Sequence, residues 1–268
     1  MPGYGLEGKV ALITGGARGF GAEFARAFAT NGATAVISDI REDAGREAAR
    51  DIAGSHGACH FIAHDVRSDD SWRQVVDLAV ERYGGLDILI NNAGIEISEL
   101  LVDTDPNACR NLFDINILGT MLGIKHAFRV MRPGGSAGKG GAILNLSSVA
   151  GVTSTPGLSA YSASKSGVIS LTEVATVESG RFGYGVRVNC LCPSMFDTHM
   201  GRKLLDDFAA LGLAENPEAV KAGLLERIPA GRFGRLSDVA NAALYLCSDN
   251  AAFITGVSLP VDGGMSAA

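Results

Sequence analysis

A regular exchange between short β-rich runs and longer helical stretches constrains this chain more than any other feature. Seven runs, KVALIT, TAVISD, ACHFIAHD, LDILIN, GAILNLSS, VRVNCLC and VSLPVD, read as strands that are apolar on both faces. Between them, segments at about 19 to 31, 41 to 54, 68 to 83, 106 to 131, 156 to 180 and 236 to 248 are rich in Ala, Leu, Glu and Arg, which favour helix. Strands apolar on both faces need cover on both, and helical crossovers between them run parallel and right-handed. The expectation is an α/β fold, a doubly wound parallel sheet of about seven strands with helices on both faces. The whole chain, residues 1–268, is expected to form a single domain.

Two segments stand outside this rhythm. Residues at about 194 to 231 form a helical, partly apolar insertion carrying Leu204, Leu205, Phe208, Leu211 and Leu213. It reads either as a lid over a substrate or as a surface excursion that packs its own apolar face, and sequence leaves both open. The Gly-rich stretch PGGSAGKGG lacks the first Gly and the final Ser or Thr of a phosphate-binding P-loop, with Pro133 and Gly140 in those places. It is expected to be a turn.

Composition excludes several functions. A net charge of −6 does not suit a surface that neutralises phosphates or anionic lipid, so nucleic acid and membrane are not expected partners. No apolar run approaches the roughly 18 residues of a membrane helix. The opening MPGYGLEGKV lacks a charged segment followed by an apolar one, so a cytoplasmic protein is expected. Cys59, Cys109, Cys190, Cys192 and Cys247 are scattered, and His60 and His64 flank Ile62 with no cluster to complete a metal site. No metal is expected.

After the first strand comes Thr14-Gly15-Gly16-Ala17-Arg18-Gly19-Phe20-Gly21, whose glycines permit a tight turn and a close approach of backbone N–H groups to a pyrophosphate at a helix start. Asp39 ends the second strand 18 residues later, placed to accept hydrogen bonds from adenosine ribose hydroxyls. The 2′-phosphate of NADP would set like charge against it, so NAD is the expected cofactor, with Arg18 and Arg41 near enough in sequence to soften the repulsion. A solvated carboxylate at a strand end is the other reading of Asp39.

Tyr161 and Lys165, four residues apart, share one helix face on adjacent turns. A neighbouring ammonium is expected to lower the phenol pKa toward a range useful for acid/base chemistry. Taken alone such pairs are common on helices. Ser148 lies 13 residues before Tyr161 at the end of GAILNLSS.

The glycine spacing, three residues and then one, together with this Ser-to-Tyr interval, resembles the short-chain dehydrogenase/reductase family, and the resemblance spans nearly the whole chain. It implies a Rossmann-type fold and a catalytic tetrad of Asn116, Ser148, Tyr161 and Lys165, in which Asn116 holds a water in a relay with Lys165. Asp65 and Val66 match the pair near the adenine, Asn91 to Gly94 match the segment after the fourth strand, and ITGVSLPVDGG looks like the family's last strand. The implied cofactor-binding set is Gly15, Arg18, Gly19, Phe20, Gly21, Asp39, Ile40, Asp65, Val66, Asn92, Ala93, Gly94, Tyr161, Lys165, Pro193, Phe196 and Thr198. Ser194 stands where the family has Gly, which predicts backbone strain, and Phe196 is bulkier than usual there.

The expected reaction is hydride transfer between NAD(H) and a hydrophobic secondary alcohol or ketone, a cyclic or steroid-like compound being one option. An NADPH-dependent 3-oxoacyl thioester reductase is the alternative, and a non-catalytic nucleotide-binding protein a third. No G-x-S-x-G elbow stands on a strand-to-helix turn, since the matching stretch Gly134 to Gly138 lies in the turn that leads into a strand, and this removes the hydrolase reading. The resemblance further implies a homo-oligomer, commonly a tetramer.

Overall fold

The computed structural model describes residues 3–267. Seven strands, β1 (Val10–Thr14), β2 (Thr34–Asp39), β3 (Cys59–Ala63), β4 (Ile88–Asn91), β5 (Gly141–Leu146), β6 (Val186–Pro193) and β7 (Ser258–Val261), form one sheet in the order β3-β2-β1-β4-β5-β6-β7. Every pairing is parallel, with Leu12 opposite Val36 and Leu89, and Asn91 opposite Asn145. All seven strands fall on the runs read from sequence.

The period-two alternation of a strand sends neighbouring side chains to opposite faces, and both faces here are dry. Ile13, Ile37 and Ile90 join a core layer with Phe24 and Phe28 of α1 (Gly19–Thr30) and with Val239 and Leu244 of α9 (Leu236–Cys247). Their partners Leu12, Val36 and Leu89 turn the other way, onto Trp72 and Val76 of α3 (Asp69–Tyr83) and Ile124 and Phe128 of α5 (Gly119–Met131). Each such side chain stabilises the fold by about 1.5–3 kcal/mol when withdrawn from water. The remaining helices are α2 (Glu42–Ser55), α4 (Pro106–Phe113), α6 (Ser159–Phe182), α7 (His199–Ala210) and α8 (Pro217–Glu226).

Local chemistry sets the helix ends. Ser68 caps α3 by accepting from the Ser71 N–H, Asp69 and Asp70 oppose the dipole in its first turn, and Gly84 ends it at φ 87°. Asp105 caps α4 and Pro106 occupies its first turn, where a missing N–H costs nothing.

Two expectations are corrected here. The continuous helix expected over 106 to 131 is interrupted by a π turn, Asp114–Leu118. Ser194 is not strained: no non-glycine residue among the described residues has a positive φ, and its N–H donates to the Val261 carbonyl at 3.3 Å. No helix among the described residues is long and apolar enough to cross a membrane.

The chain leaves β1 toward β2 on one side, while β4 lies against β1 on the other, so the loops after β1 and β4 part company at the carboxyl edge of the sheet. Such a switch point opens a crevice.

Candidate functional site

The loops after β1 and β4 are stapled together at that crevice. Asn92 Nδ2 donates to the Thr14 and Gly15 carbonyls at 2.8 and 3.2 Å, and the Asn92 and Ala93 N–H groups both donate to Thr14 Oγ1 at 3.0 Å. The side chain of Asn92 is therefore spent on shaping the turn. Close packing explains the small residues: a Cβ on Gly15 would fall 2.9 Å from Ala93 Cα, and one on Gly21 would fall 2.3 Å from the Gly15 carbonyl oxygen. Gly19, at φ 56°, has open space where its Cβ would be, which leaves the helix N-terminus accessible to an anion. Arg18 is the N-cap residue of α1 and makes no ion pair among the described residues.

Asp39 ends β2 with its side chain almost wholly buried. Its carboxylate accepts from the Ala17 N–H at 3.2 Å, from the Arg41 N–H at 3.0 Å, and from Arg41 Nε and a terminal guanidinium nitrogen at 3.1 and 3.0 Å. Burial works against the charge, but the Arg41 hydrogen bonds prevail and hold the carboxyl below its ordinary value. The carboxylate is thus ionised and paired.

The second half of the site gathers around the end of β5. Ser148 follows that strand and caps a short 3₁₀ turn, Val149–Gly151, accepting from the Ala150 N–H at 3.1 Å and donating to the Pro193 carbonyl at 3.4 Å. Ser147 donates to the backbone carbonyl of Lys165 at 2.8 Å, which docks α6 on the strand end. Tyr161 and Lys165 occupy the first turns of α6, with Lys165 Nζ 5.6 Å from the Tyr161 ring centroid. That ammonium donates to the Leu146 carbonyl at 2.8 Å. Asn116 sits inside the π turn, fully buried, donating to the Ile95 carbonyl and Ser164 Oγ at 2.9 and 3.0 Å and accepting from the Ile95 N–H. Gly94 is wedged between, its missing Cβ 3.2 Å from Asn116 Oδ1 and 3.5 Å from Lys165 Nζ.

The phenol does not behave as its ammonium neighbour suggested. Burial pushes Tyr161 up to about 12, the Ser148 hydroxyl opposes the rise, and the charge of Glu96 adds to it. Lys165 is itself pushed down to about 8 by burial and donates to the Leu146 carbonyl.

A cavity of about 520 Å³ joins the two halves. Its wall includes Gly15, Arg18, Gly19, Phe20, Asn92, Ala93, Gly94, Ser148, Tyr161, Lys165, Pro193, Phe196 and Thr198, all expected from sequence. Gly21, Asp39 and Asn116 lie behind that wall and shape it. Ile40, Asp65 and Val66 fall outside the lining: Ile40 is exposed, Asp65 is clasped by Arg67 at 2.7 Å, and Val66 accepts from the Trp72 indole at 2.9 Å. The bulk of Phe196 is absorbed by Gly234, whose Cβ would lie 2.2 Å from its ring, and by an edge-on contact with Phe20 at 4.9 Å. Thr198 caps α7, accepting from the Gly201 N–H at 3.0 Å.

A family model described as enoyl-(acyl carrier protein) reductase matches residues 15–266. The chain belongs to the short-chain dehydrogenase/reductase family. As a member it is an oxidoreductase. Zerumbone synthase of Zingiber zerumbet is 37% identical over 270 residues, covering 98% of this chain and 96% of that protein. Among solved structures, NAD+-bound xylitol dehydrogenase superposes with a TM-score of 0.92 at 28% identity, over 97% of this chain and 100% of the other. A gluconate 5-dehydrogenase from Burkholderia cenocepacia J2315, in complex with NADP and tartrate, gives 0.88 at 33% identity, over 99% and 98%. Both pyridine nucleotides occur among these structures.

Sequence reasoning missed several lining residues, among them Ile95, Glu96, Ser147 and Met195. Glu96 carried a signal, a carboxylate two residues beyond the Ala93-Gly94 pair at the end of an apolar strand.

Proposed function

We propose that this chain interconverts a secondary alcohol and a ketone with NAD(H). The observation that carries the reading is that Ser148, Tyr161 and Lys165 share one cavity wall with the glycine turn that opens α1. The turn suits the dinucleotide: Gly19 leaves the helix N-terminus open, Arg18 offers an unpaired guanidinium to the pyrophosphate, and Asp39 offers its carboxylate to ribose hydroxyls. NAD, when bound, supplies the hydride acceptor, and NADH the donor.

The protein's own groups then manage the proton. Ser148 holds the substrate oxygen by its hydroxyl, and Tyr161 Oη gives a proton to that oxygen in reduction or takes it in oxidation. With its pKa near 12, Tyr161 is the acid form at neutral pH and ready to donate. Lys165 keeps two N–H donors free beyond the Leu146 contact, enough for a nicotinamide ribose hydroxyl and a water held near Asn116. Gly94 lets Asn116 and Lys165 approach each other.

Apolar residues of α7 and α8, Leu204, Phe208 and Leu224, close the far end of the cavity and support the lid reading of residues 194–231, within one domain. They also favour a substrate with a hydrocarbon body. The alternative, a 3-oxoacyl thioester reductase using NADPH, is favoured by one observation, that Arg41 already neutralises Asp39 at the cavity mouth. Val177 and Phe182, 71% and 64% exposed on α6, support self-association of the chain. A panel of secondary alcohols and ketones followed by NADH absorbance tests the main reading, with oxoacyl thioesters and NADPH as the competing arm. Turnover confined to the thioester arm would reverse the assignment.

A further inference from the structure

Two carboxylates line the cavity, and they differ. Asp197 is 76% exposed and paired with Arg202 at 2.5 Å. Glu96 is half-buried and makes no ion pair among the described residues, since the Lys203 ammonium near it is taken by Asp207. Its Oε1 accepts from the Ser98 hydroxyl at 2.5 Å, while Oε2 is shielded from water and has no hydrogen-bond partner among the described residues. The same cavity is lined by the apolar side chains Val149, Leu158, Met195, Leu204 and Phe208. It stands close enough to Tyr161 for its charge to reach the phenol.

Proton transfer between Tyr161, Ser148 and the substrate uses none of this. An ionisable group in an apolar wall is costly unless it is paired, and an open acceptor oxygen costs more again. The last torsion of a glutamate is broad, so a modest rotation turns Oε2 toward the cavity while Ser98 keeps the other oxygen. We propose that Glu96 is a specificity-determining residue that accepts a hydrogen bond from a second donor on the substrate, a hydroxyl or an ammonium, so that the pocket selects alcohols bearing such a donor over plain hydrocarbon alcohols. The inference rests on the alcohol/ketone reading above and sharpens its substrate class. The hydrocarbon body is held by the α7 and α8 side chains, and the polar end by Glu96.

The probes are cyclohexanol and its para-hydroxy and para-amino derivatives, each oxidised with NAD. In the wild type, kcat/KM for the two donor-bearing alcohols is expected to exceed that for cyclohexanol by about tenfold or more, the effect of one hydrogen bond to a charged group. Glu96→Leu is expected to bring both ratios close to one. Glu96→Gln, which keeps the shape and an acceptor oxygen, is expected to retain the hydroxyl preference and lose the ammonium preference. Equal wild-type values, or a preference that survives in Glu96→Leu, would overturn the proposal. A second arm needs no turnover: calorimetric Kd values for the same compounds on the NADH complex of Tyr161→Phe, with and without Glu96→Leu. If the wild type oxidises none of the three, the alcohol/ketone reading is in trouble while this arm still decides. Donor-bearing compounds weakened about tenfold by Glu96→Leu support the role of Glu96, and binding that is unchanged or undetectable refutes it.

Discussion

At Tyr161 two effects compete: burial, which favours the neutral phenol, and the Ser148 hydroxyl, which favours the phenolate. Burial wins, and the consequence is a signed pH dependence. Reduction needs the phenol, which is present at every pH below about 12, so its rate is expected to stay level from neutral pH to about pH 8, where Lys165 begins to lose its proton. Oxidation needs the phenolate, whose fraction grows with pH, so log kcat/KM for oxidation is expected to climb across the same range. Parallel profiles in the two directions would count against Tyr161 as the proton carrier. Tyr161→Phe deletes the hydroxyl and little volume, and kcat is expected to fall by about 10²–10⁴, with NADH affinity measured by fluorescence nearly intact. At the cofactor end, Asp39→Ala removes the carboxylate and frees Arg41 for a phosphate. The ratio of kcat/KM with NADP to that with NAD is expected to rise by about tenfold or more, given a like-charge repulsion of a few kcal/mol at short range. An unchanged ratio would refute the charge argument. Spacing revealed that Tyr161 and Lys165 would meet. It did not reveal the phenol's pKa, because pattern carries neither the depth of burial nor the carbonyl at which Lys165 aims its proton.

One scale up, the site depends on how α6 is seated. Asn91 donates to Asn145 at 2.8 Å across β4 and β5, and Asn145 donates in turn to Thr172 on α6 at 2.9 Å. All three are buried, so this polar ladder fixes the rotation of the helix that carries Tyr161 and Lys165 where apolar packing alone would let it slide. Asn145→Leu leaves the Asn91 amide without its acceptor, and a loss of about 1–3 kcal/mol is expected in urea unfolding. A drop in kcat larger than the drop in substrate affinity should accompany it, because the displaced atoms are those that move the proton. Retention of both stability and kcat would show that the ladder does not seat the helix. The strands were legible because double-sided apolar runs have few other homes. The π turn was not, since Asp114 to Leu118 are ordinary helix residues and the bulge is held by partners remote in sequence, Ile95 and Ser164. Glu96 escaped for a related reason, as a lone carboxylate gives no sign of what will surround it until the α7 segment folds over it.

Across the whole molecule, burial on both faces of the sheet also traps a titratable group away from the crevice. His64, just beyond β3, is buried against Trp72 at a centroid distance of 4.4 Å and contacts Ser38 Oγ through Nδ1 at 3.1 Å, while its Nε2 has no partner among the described residues. Burial pushes its pKa down from 6.5 to about 4, with the Asp65 carboxylate opposing the shift and His126 adding to it. The folded protein therefore holds His64 neutral where the unfolded chain protonates it. The unfolded state binds the extra proton between pH 6.5 and about 4, so stability falls as pH falls through that window and levels off below it. The total is about 3 kcal/mol, of which about 2 is lost by about pH 5. Carboxylates also weaken the fold in acid, so the decisive measurement is a difference. His64→Leu is expected to lose less stability than the wild type between about pH 7 and about pH 5 in urea unfolding, by about 2 kcal/mol. The two proteins share every other titrating group, and that gap belongs to His64 alone. If the wild type and variant lose the same amount, the imidazole finds a partner for its second proton inside the fold, and the acid sensitivity must come from elsewhere.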